Sequence, residues 1–238
     1  MRLSVVIPAY NEEKYIGACL EKLITEAGED IFEIIVVDNA STDRTSAVAK
    51  KFKGVKVIRE ERKGLTRARQ AGLLAAKGEL VAYIDADTHI KPEWFHKVHK
   101  EFERNKRLVC LSAPYSLYDV SKWKRVAMWS YWNFLAYPTY ALLMRYMVLG
   151  ANFVAKRSVL LKIGGFDESI EFYGEDTDIA RRLHKIGKVK FLRKSMVDSS
   201  PRRMEAEGWL RMGFKYGFNF VSEILMHKPL HQEYKDHR

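Results

Sequence analysis

The chain has 238 residues, of which 47% are hydrophobic and 30% charged; this balance is typical of a globular domain and excludes an intrinsically disordered chain. Its two cysteines, Cys19 and Cys110, lie in separate apolar contexts and form neither a metal-binding spacing nor a disulfide framework. The formal net charge of +11 favours polyanionic partners such as phosphorylated ligands, nucleic acid or an anionic membrane face. With no signal-peptide pattern at the N-terminus, we expect a cytoplasmic protein, free or peripheral on the cytoplasmic face of the membrane.

Short apolar runs rich in β-branched residues alternate with helical patterns through the first half of the chain. These runs predict strands at 3–7, 34–37, 55–58 and 80–84. Asn11 is predicted to cap the helix after the first strand, and Gly78 to end a helix over 65–77. A strand–helix series of this kind predicts an α/β fold with a mostly parallel central sheet flanked by helices.

The second half is less regular. Its patterns predict helices at 92–105, 158–163 and 176–186, and strands at 108–113, 151–155 and 189–192. Beyond residue 205 the chain is predicted to be aromatic-rich helix interrupted by glycines. Since no repeat or linker divides the chain, we expect one compact unit.

An aromatic stretch over 126–149 has three interpretations. No charged residue lies between 126 and 144, Pro138 interrupts the run, and Lys122, Lys124, Arg125 and Arg145 flank it. The proline and the high share of Trp and Tyr are typical of a membrane interface rather than of a spanning helix. The alternatives are a buried helix pair and a dimer interface.

Polar residues follow the predicted strands. In an open parallel sheet, ligands bind just past the carboxyl ends of the strands. Here the first strand is followed by 8–13, the second by 38–43 and the fourth by 85–88. These three segments are expected to bring one aromatic ring, one amide and several carboxylates together on one rim.

The pair in Asp85-Ala86-Asp87 is the sharpest of these features. Two carboxylates two positions apart in an extended chain point the same way, and Mg²⁺ and Mn²⁺ prefer oxygen ligands. The pair therefore predicts a divalent metal site. No G-x-G-x-x-G or G-x-x-x-x-G-K-[ST] sequence is present, so a dinucleotide fingerprint and a P-loop are both excluded.

A second acidic cluster occupies 174–178. Acids are common in the first turn of a helix because they suit its dipole, but a carboxylate here could also serve as a general base. Several cations are candidates for binding a diphosphate, and each could equally be a plain surface charge. They are Lys63, Arg67, Arg69, Arg202 and Arg203.

Four segments in order resemble the motifs of the family 2 glycosyltransferases, which have the GT-A (Rossmann-like nucleotide-diphospho-sugar transferase) fold. They are 4–13, 36–45, 64–87 ending in Asp85-Ala86-Asp87, and 164–178 with its Glu175-Asp176 pair. The resemblance implies a GT-A domain over 1–205, with a donor half over about 1–113 and an acceptor half over about 114–205. Residues 206–238 would form a helical extension packed on it. Gln70 stands where the family usually has Asn, and no Gln-x-x-Arg-Trp motif indicates a processive synthase.

The resemblance also implies roles for individual residues. Tyr10 would lie against the nucleotide base, Asp38 would accept a hydrogen bond from it, and Arg69 would help bind the base or phosphates. Asp85 would contact the ribose, Asp87 would bind Mn²⁺ or Mg²⁺, and Asp176 would be the catalytic base. Pro8, Ala9 and Glu12 would line the nucleotide pocket. The predicted donor-binding set is completed by Lys63, Ala86, Arg202 and Arg203.

The resulting prediction is an inverting transferase that moves a sugar from a UDP- or GDP-type donor to a hydroxyl or lipid-linked acceptor. One alternative is a polyprenyl-phosphate sugar synthase at the membrane surface, where the acceptor is a phosphate. A nucleotidyltransferase and a basic nucleic-acid-binding protein are more distant alternatives. We expect no nucleic-acid partner, because nucleic-acid binding would leave Asp38, Asp85 and Asp87 unexplained.

Overall fold

The computed structural model describes residues 1–144, 146–170, 174–193 and 197–208. Its strands are Leu3–Ala9 (β1), Glu33–Asp38 (β2), Val55–Arg59 (β3), Leu80–Ile84 (β4), Thr88–His89 (β5), Leu108–Ser112 (β6), Tyr115–Leu117 (β7), Asn152–Lys156 (β8), Lys188–Phe191 (β9) and Val197–Ser199 (β10). Its α-helices are Ile16–Ala27 (α1), Thr45–Ala49 (α2), Leu65–Ala75 (α3), Pro92–Arg104 (α4), Lys122–Ser130 (α5), Tyr137–Thr139 (α6), Arg157–Lys162 (α7), Glu175–His184 (α8) and Arg202–Glu207 (α9).

The central sheet has seven strands in the order β3-β2-β1-β4-β8-β6-β9. All of its pairings are parallel except those of β8, which runs antiparallel to β4 and β6. A mostly parallel sheet flanked by helices is therefore confirmed. A second, three-stranded sheet of order β5-β10-β7 was not predicted, because strands of two or three residues carry no readable alternation.

Both faces of the central sheet are buried. All seven residues of β1 are buried; α1 and α4 cover one face, while α3, α7 and α8 cover the other. Helix α3 approaches closely because residue 72 is glycine: a Cβ there would lie 2.2 Å from Val6 Cγ1. Continuous apolar strands buried on both sides are the expected consequence of parallel pairing.

Three local expectations were wrong. Helix α1 begins at Ile16, after Tyr15, because Asn11 has a φ of 52° and lies in a turn before the helix. Helix α3 ends at Ala75 rather than at Gly78. Finally, Asp85-Ala86-Asp87 is not extended: the Thr88 amide donates to the Asp85 carbonyl at 3.0 Å, so these residues form a turn that separates the two carboxylates.

The aromatic stretch folds as helix α5, then wider π-helical turns at Tyr131–Ala136 and Tyr140–Met144 on either side of α6. One side of it packs in a small cluster with Leu117 and Phe191. Among the described residues, no helix has both the length and the apolar character that a membrane span requires. Residues 209–238 of the predicted extension lie outside the described residues, and the proposed domain bounds stay a prediction.

Candidate active site

The loops after β1 and β2 form one unit at the carboxyl edge of the sheet. Backbone amides of the first loop donate to side chains of the second: Asn11 to Ser41 Oγ at 3.1 Å, and Glu12 to Thr45 Oγ1 at 2.7 Å. The Glu13 amide donates to Asp43 at 3.0 Å. Because parallel strands end on the same edge, Ser, Thr and Asp side chains on one loop can satisfy the amides that the other leaves unpaired.

Asp38 lies at the end of β2 and is 1% exposed. Its Oδ1 accepts the Ser41 amide at 3.1 Å and its Oδ2 accepts Arg59 Nη1 at 2.9 Å. The predicted base-binding carboxylate is therefore already paired with a half-exposed arginine. Arg59 is the last residue of the neighbouring strand β3. It was not predicted as a site residue, although its position at the end of a strand could have indicated it.

Tyr10 follows β1, and Lys63 Nζ lies 3.9 Å from the centre of its ring. This cation–π contact brings two of the predicted donor-binding residues together. Pro8, Ala9 and Ala86 are buried among the strand ends, so what they can offer a ligand is backbone rather than side chain.

The two aspartates of the turn after β4 face different cations. Asp87 Oδ2 lies 2.8 Å from Arg202 Nε, and its side chain is 11% exposed. Asp85 Oδ1 lies 3.6 Å from Arg69 Nη2, and its side chain is 39% exposed. The turn thus separates one buried carboxylate from one that faces the solvent at the rim.

Arg202 joins the turn to the loop after β1. Its Nη1 and Nη2 each donate to one oxygen of Glu12 at 2.7 Å, in a bidentate pair, while Nε faces Asp87. Its guanidinium also lies 4.5 Å from the centre of the Tyr15 ring. We call Glu12, Asp87 and Arg202 the rim cluster.

Burial raises the pKa of Asp87 to about 6, since an ionised carboxylate is poorly solvated there. Arg202 lowers this pKa, whereas the carboxylates of Asp85 and Glu12 raise it. Asp87 is therefore a group whose negative charge is costly without a further cation nearby.

Hard divalent cations take oxygen ligands, and Mg²⁺ is usually held by one or two carboxylates together with substrate phosphates. Glu12 and Asp85 supply two further carboxylates, each close enough to Asp87 to raise its pKa. In the part of the chain that the structure describes, no three His, Cys, Asp or Glu side chains are grouped to hold a metal ion alone. The residues present fit a cation completed by ligand oxygens, not a closed protein cage.

A second arginine, Arg69, lies beneath the rim. It is 1% exposed and forms a close ion pair through Nη1 with Glu175 Oε1, while Nη2 faces Asp85. Gly150 packs against this pair: a Cβ there would lie 2.7 Å from both Arg69 Nη2 and Glu175 Oε1. We call the buried pair Arg69 and Glu175, together with the more exposed Asp85 above it, the buried cluster.

The buried cluster connects the turn after β4 to helix α8, which begins at Glu175. Asp176, the predicted base, is the next residue; its Oδ1 accepts the Thr177 amide at 2.9 Å. The sequence shows Glu175 beside Asp176 in an acidic pair, but it did not predict that Glu175 pairs with Arg69. Arg203 Nε faces Glu207 at 3.6 Å within α9.

The structure thus combines a mostly parallel α/β sheet with an acidic, arginine-bridged cluster at its carboxyl edge. The family model described as "Glycosyl transferase family 2" matches residues 4–164, and the chain belongs to this family of glycosyltransferases.

Curated relatives match only part of their own length. The uncharacterized glycosyltransferase EpsJ of Bacillus subtilis is 32% identical over 107 residues, covering 43% of this chain and 31% of EpsJ. The poly(ribitol-phosphate) beta-N-acetylglucosaminyltransferase TarS of Staphylococcus aureus is 35% identical over 102 residues, covering 39% of this chain and 17% of TarS. The matched part of the chain thus spans a third or less of these two relatives.

Solved structures resemble almost the whole chain. The mannosyltransferase PcManGT from Pyrobaculum calidifontis, in complex with GDP-Man and Mn²⁺, gives a TM-score of 0.73 at 19% identity and covers 96% of this chain and 65% of that one. TarS 1–349 from S. aureus, in complex with UDP-GlcNAc, gives 0.67 at 20% identity, covering 98% and 68%. The predicted GT-A fold is confirmed.

Proposed function

We propose that the chain transfers a sugar from a nucleotide-diphosphate donor of the UDP or GDP type, with inversion at the anomeric carbon. The observation that carries the proposal is the convergence of Glu12, Asp85 and Asp87 at the carboxyl edge of the sheet, where Arg202 bridges Glu12 and Asp87. The structures of PcManGT with GDP-Man and Mn²⁺ and of TarS with UDP-GlcNAc support a donor of this type.

The donor nucleotide would bind at the ends of β1 and β2. The Tyr10 ring, which Lys63 Nζ contacts on one face, would lie against the base. Asp38 would accept a hydrogen bond from the base by sharing its carboxylate with Arg59, which is half exposed and therefore able to move. Asp85, the more exposed aspartate of the turn, would contact the ribose.

Asp87 would hold the divalent cation together with the donor phosphates. When bound, the cation would neutralise charge on the leaving diphosphate. Arg202 already provides one positive charge beside Asp87, and it would turn part of its guanidinium toward the diphosphate oxygens, for which its planar fork is suited.

Asp176 would deprotonate the acceptor hydroxyl. The acceptor oxygen would then attack the anomeric carbon from the face opposite the diphosphate, and the proton would pass to the Asp176 carboxylate. The Arg69–Glu175 ion pair would fix the start of α8 and so position Asp176. A phosphate acceptor, as in a polyprenyl-phosphate sugar synthase, would already be an anion and would not need this base.

The acceptor is proposed to be a hydroxyl compound or a lipid-linked sugar. A lipid-linked acceptor would require contact with a membrane. Helix α5 begins four residues after Tyr118, whose hydroxyl donates to the Asp87 carbonyl at 3.3 Å.

The donor site is tested by calorimetric titration of UDP and GDP with Mn²⁺ into the full chain and into Asp87→Ala. We expect the variant to lose cation-dependent binding, while the control Glu103→Ala, an exposed acid on α4, keeps it. Equal binding by Asp87→Ala and the unchanged chain would remove Asp87 from the metal site.

The base is tested separately with Asp176→Asn, which should leave donor binding intact and remove transfer to hydroxyl acceptors. Full transfer by this variant to a hydroxyl would contradict the role of Asp176.

A further inference from the structure

We propose that the outer side of the helical segment 122–142 docks onto an anionic lipid surface. This outer side is defined by the exposed apolar residues Trp123, Val126, Trp129, Phe134, Leu135 and Leu142. Lipid binding itself does not depend on the proposed transferase activity. Only the inference that docking presents a lipid-linked acceptor rests on the proposed function.

The inner side of the same segment already satisfies the fold. Met128, Trp132 and Ala136 recur every four residues, are buried, and pack with Leu117 and Phe191. Trp132 Nε1 donates to the Tyr115 carbonyl at 2.8 Å. The segment is therefore fixed to the domain by one side, and its outer side is not needed for that attachment.

The outer side is unusually apolar for a surface. Trp123 is 65% exposed, Phe134 72% and Leu142 78%. The rings of Trp129 and Phe134 contact each other edge to face at 5.8 Å, so two large rings form one continuous projection. Contiguous exposed apolar surfaces of this kind mark interaction sites, and helices that pair Trp, Phe and Leu with cations bind in the membrane interface.

Charge identifies the partner. Lys122 and Arg125 are exposed and line one shallow pocket with Val126 and Trp129. No Asp or Glu occurs anywhere between Asp119 and Asp167. A second copy of this chain would bring an equally basic edge against this one, and like charges across an interface oppose association. An anionic bilayer instead supplies phosphates for the cations and an apolar layer for the rings.

The outer side also begins next to the candidate active site. Tyr118, four residues before Lys122, donates its hydroxyl to the Asp87 carbonyl at 3.3 Å. Lys124 Nζ lies 3.9 Å from Glu205 in α9, the helix that carries Arg202. A chain docked through this side would hold its rim close to the lipid headgroups, where, on the proposed function, a lipid-linked acceptor would be presented.

The test is flotation of the full chain, without donor or metal, with vesicles of phosphatidylcholine alone and of phosphatidylcholine with phosphatidylglycerol. We expect flotation with the anionic vesicles. The double variant Trp123→Ser/Phe134→Ser should bind them at least about tenfold more weakly, because two large apolar side chains no longer enter the lipid. The matched control Leu74→Ser, an exposed leucine on α3, should bind unchanged.

The cations are tested with Lys122→Glu/Arg125→Glu, which should remove the preference for anionic vesicles. The matched control Lys51→Glu/Lys53→Glu, at two exposed lysines after α2, should preserve it. Absence of flotation in the unchanged chain would overturn the proposal. Normal vesicle binding by Trp123→Ser/Phe134→Ser would also overturn it. Loss of a concentration-dependent dimer in this variant would assign the outer side to a second copy of the chain. A markedly lower unfolding temperature would assign it to packing within the chain itself. Calorimetric donor binding, measured in parallel, reports independently on the proposed function.

Discussion

Arg202 and Arg69 each bridge two carboxylates, but their surroundings give them different properties. Arg202, in the rim cluster, keeps 22% of its side chain exposed beside Glu12 and Asp87. Arg69, in the buried cluster, has only 1% of its side chain exposed, and Glu175 and Gly150 pack against it. An arginine at the rim can exchange partners when a ligand enters, whereas a buried one is fixed because its charge has no other solvation. The comparison assigns ligand exchange to Arg202 and structural support to Arg69.

Removing Arg69 should have the largest effect. Arg69→Met would leave Glu175 buried without its cation, and we expect the free energy of unfolding to fall by about 3–5 kcal/mol. Urea denaturation followed by circular dichroism measures this. Arg67→Met, on the same helix and with its Nη1 donating to the Lys63 carbonyl, is the control. A loss no greater than that of the control would mean that Arg69 is not a structural ion-pair partner.

Filling the space beside the buried cluster should cost less. In Gly150→Ala the new methyl would lie 2.7 Å from Arg69 Nη2 and Glu175 Oε1, and relieving this overlap is expected to cost about 1–3 kcal/mol of stability. Gly17→Ala is the matched control, because its methyl would lie at an ordinary 3.5 Å from Val48 Cγ1 inside a helix. If both substitutions are neutral, the packing of Gly150 on the ion pair is looser than described.

Removing the rim arginine should change ligand binding more than folding. Arg202→Met would free Asp87 from a competing cation, so we expect Mn²⁺ alone to bind about tenfold more tightly and the nucleotide diphosphate to bind about tenfold more weakly. Separate titrations of Mn²⁺ and of UDP at saturating Mn²⁺ measure the two effects, with Arg203→Met as control. A parallel loss of both affinities would show that Arg202 only supports the loop.

The smallest expected effect is a pH dependence centred on Asp87. Its pKa is raised by burial to about 6 from an ordinary 3.8, so the folded state takes up a proton before the unfolded chain does. Without ligand, stability should therefore fall as the pH rises between these two values. The affinity for the cation should change in the opposite direction. It should weaken about tenfold per pH unit below the folded-state pKa, because the Asp87 carboxylate must be deprotonated to bind the metal.

That pH dependence is measured by titrating UDP with Mn²⁺ one unit below and one unit above the pKa of Asp87. Asp87→Asn should bind weakly with a flat profile. A profile that stays steep in Asp87→Asn would assign the titration to another group.

Much of this architecture could be predicted from the sequence. The first four strands were visible because buried parallel strands are continuous apolar runs, and the rim followed because such strands end on one edge. Pairing was harder to predict. Arg69 and Arg202 were both expected at the diphosphate, since each looks like a surface cation; only the three-dimensional contacts distinguish the buried arginine from the exposed one. Asp85 and Asp87 were separated by a turn that a two-residue spacing does not reveal.

The pairing of Arg202 with Glu12 joins residues that are 190 positions apart. During synthesis, which proceeds from the N-terminus, β1 to β4 and their acidic loops emerge long before the arginine that neutralises them. The nascent first half therefore exposes Glu12 and Asp87 without this counter-charge. On the ribosome, the acidic edge can be assembled early, but its final electrostatic balance is reached only after α9 has left the exit tunnel.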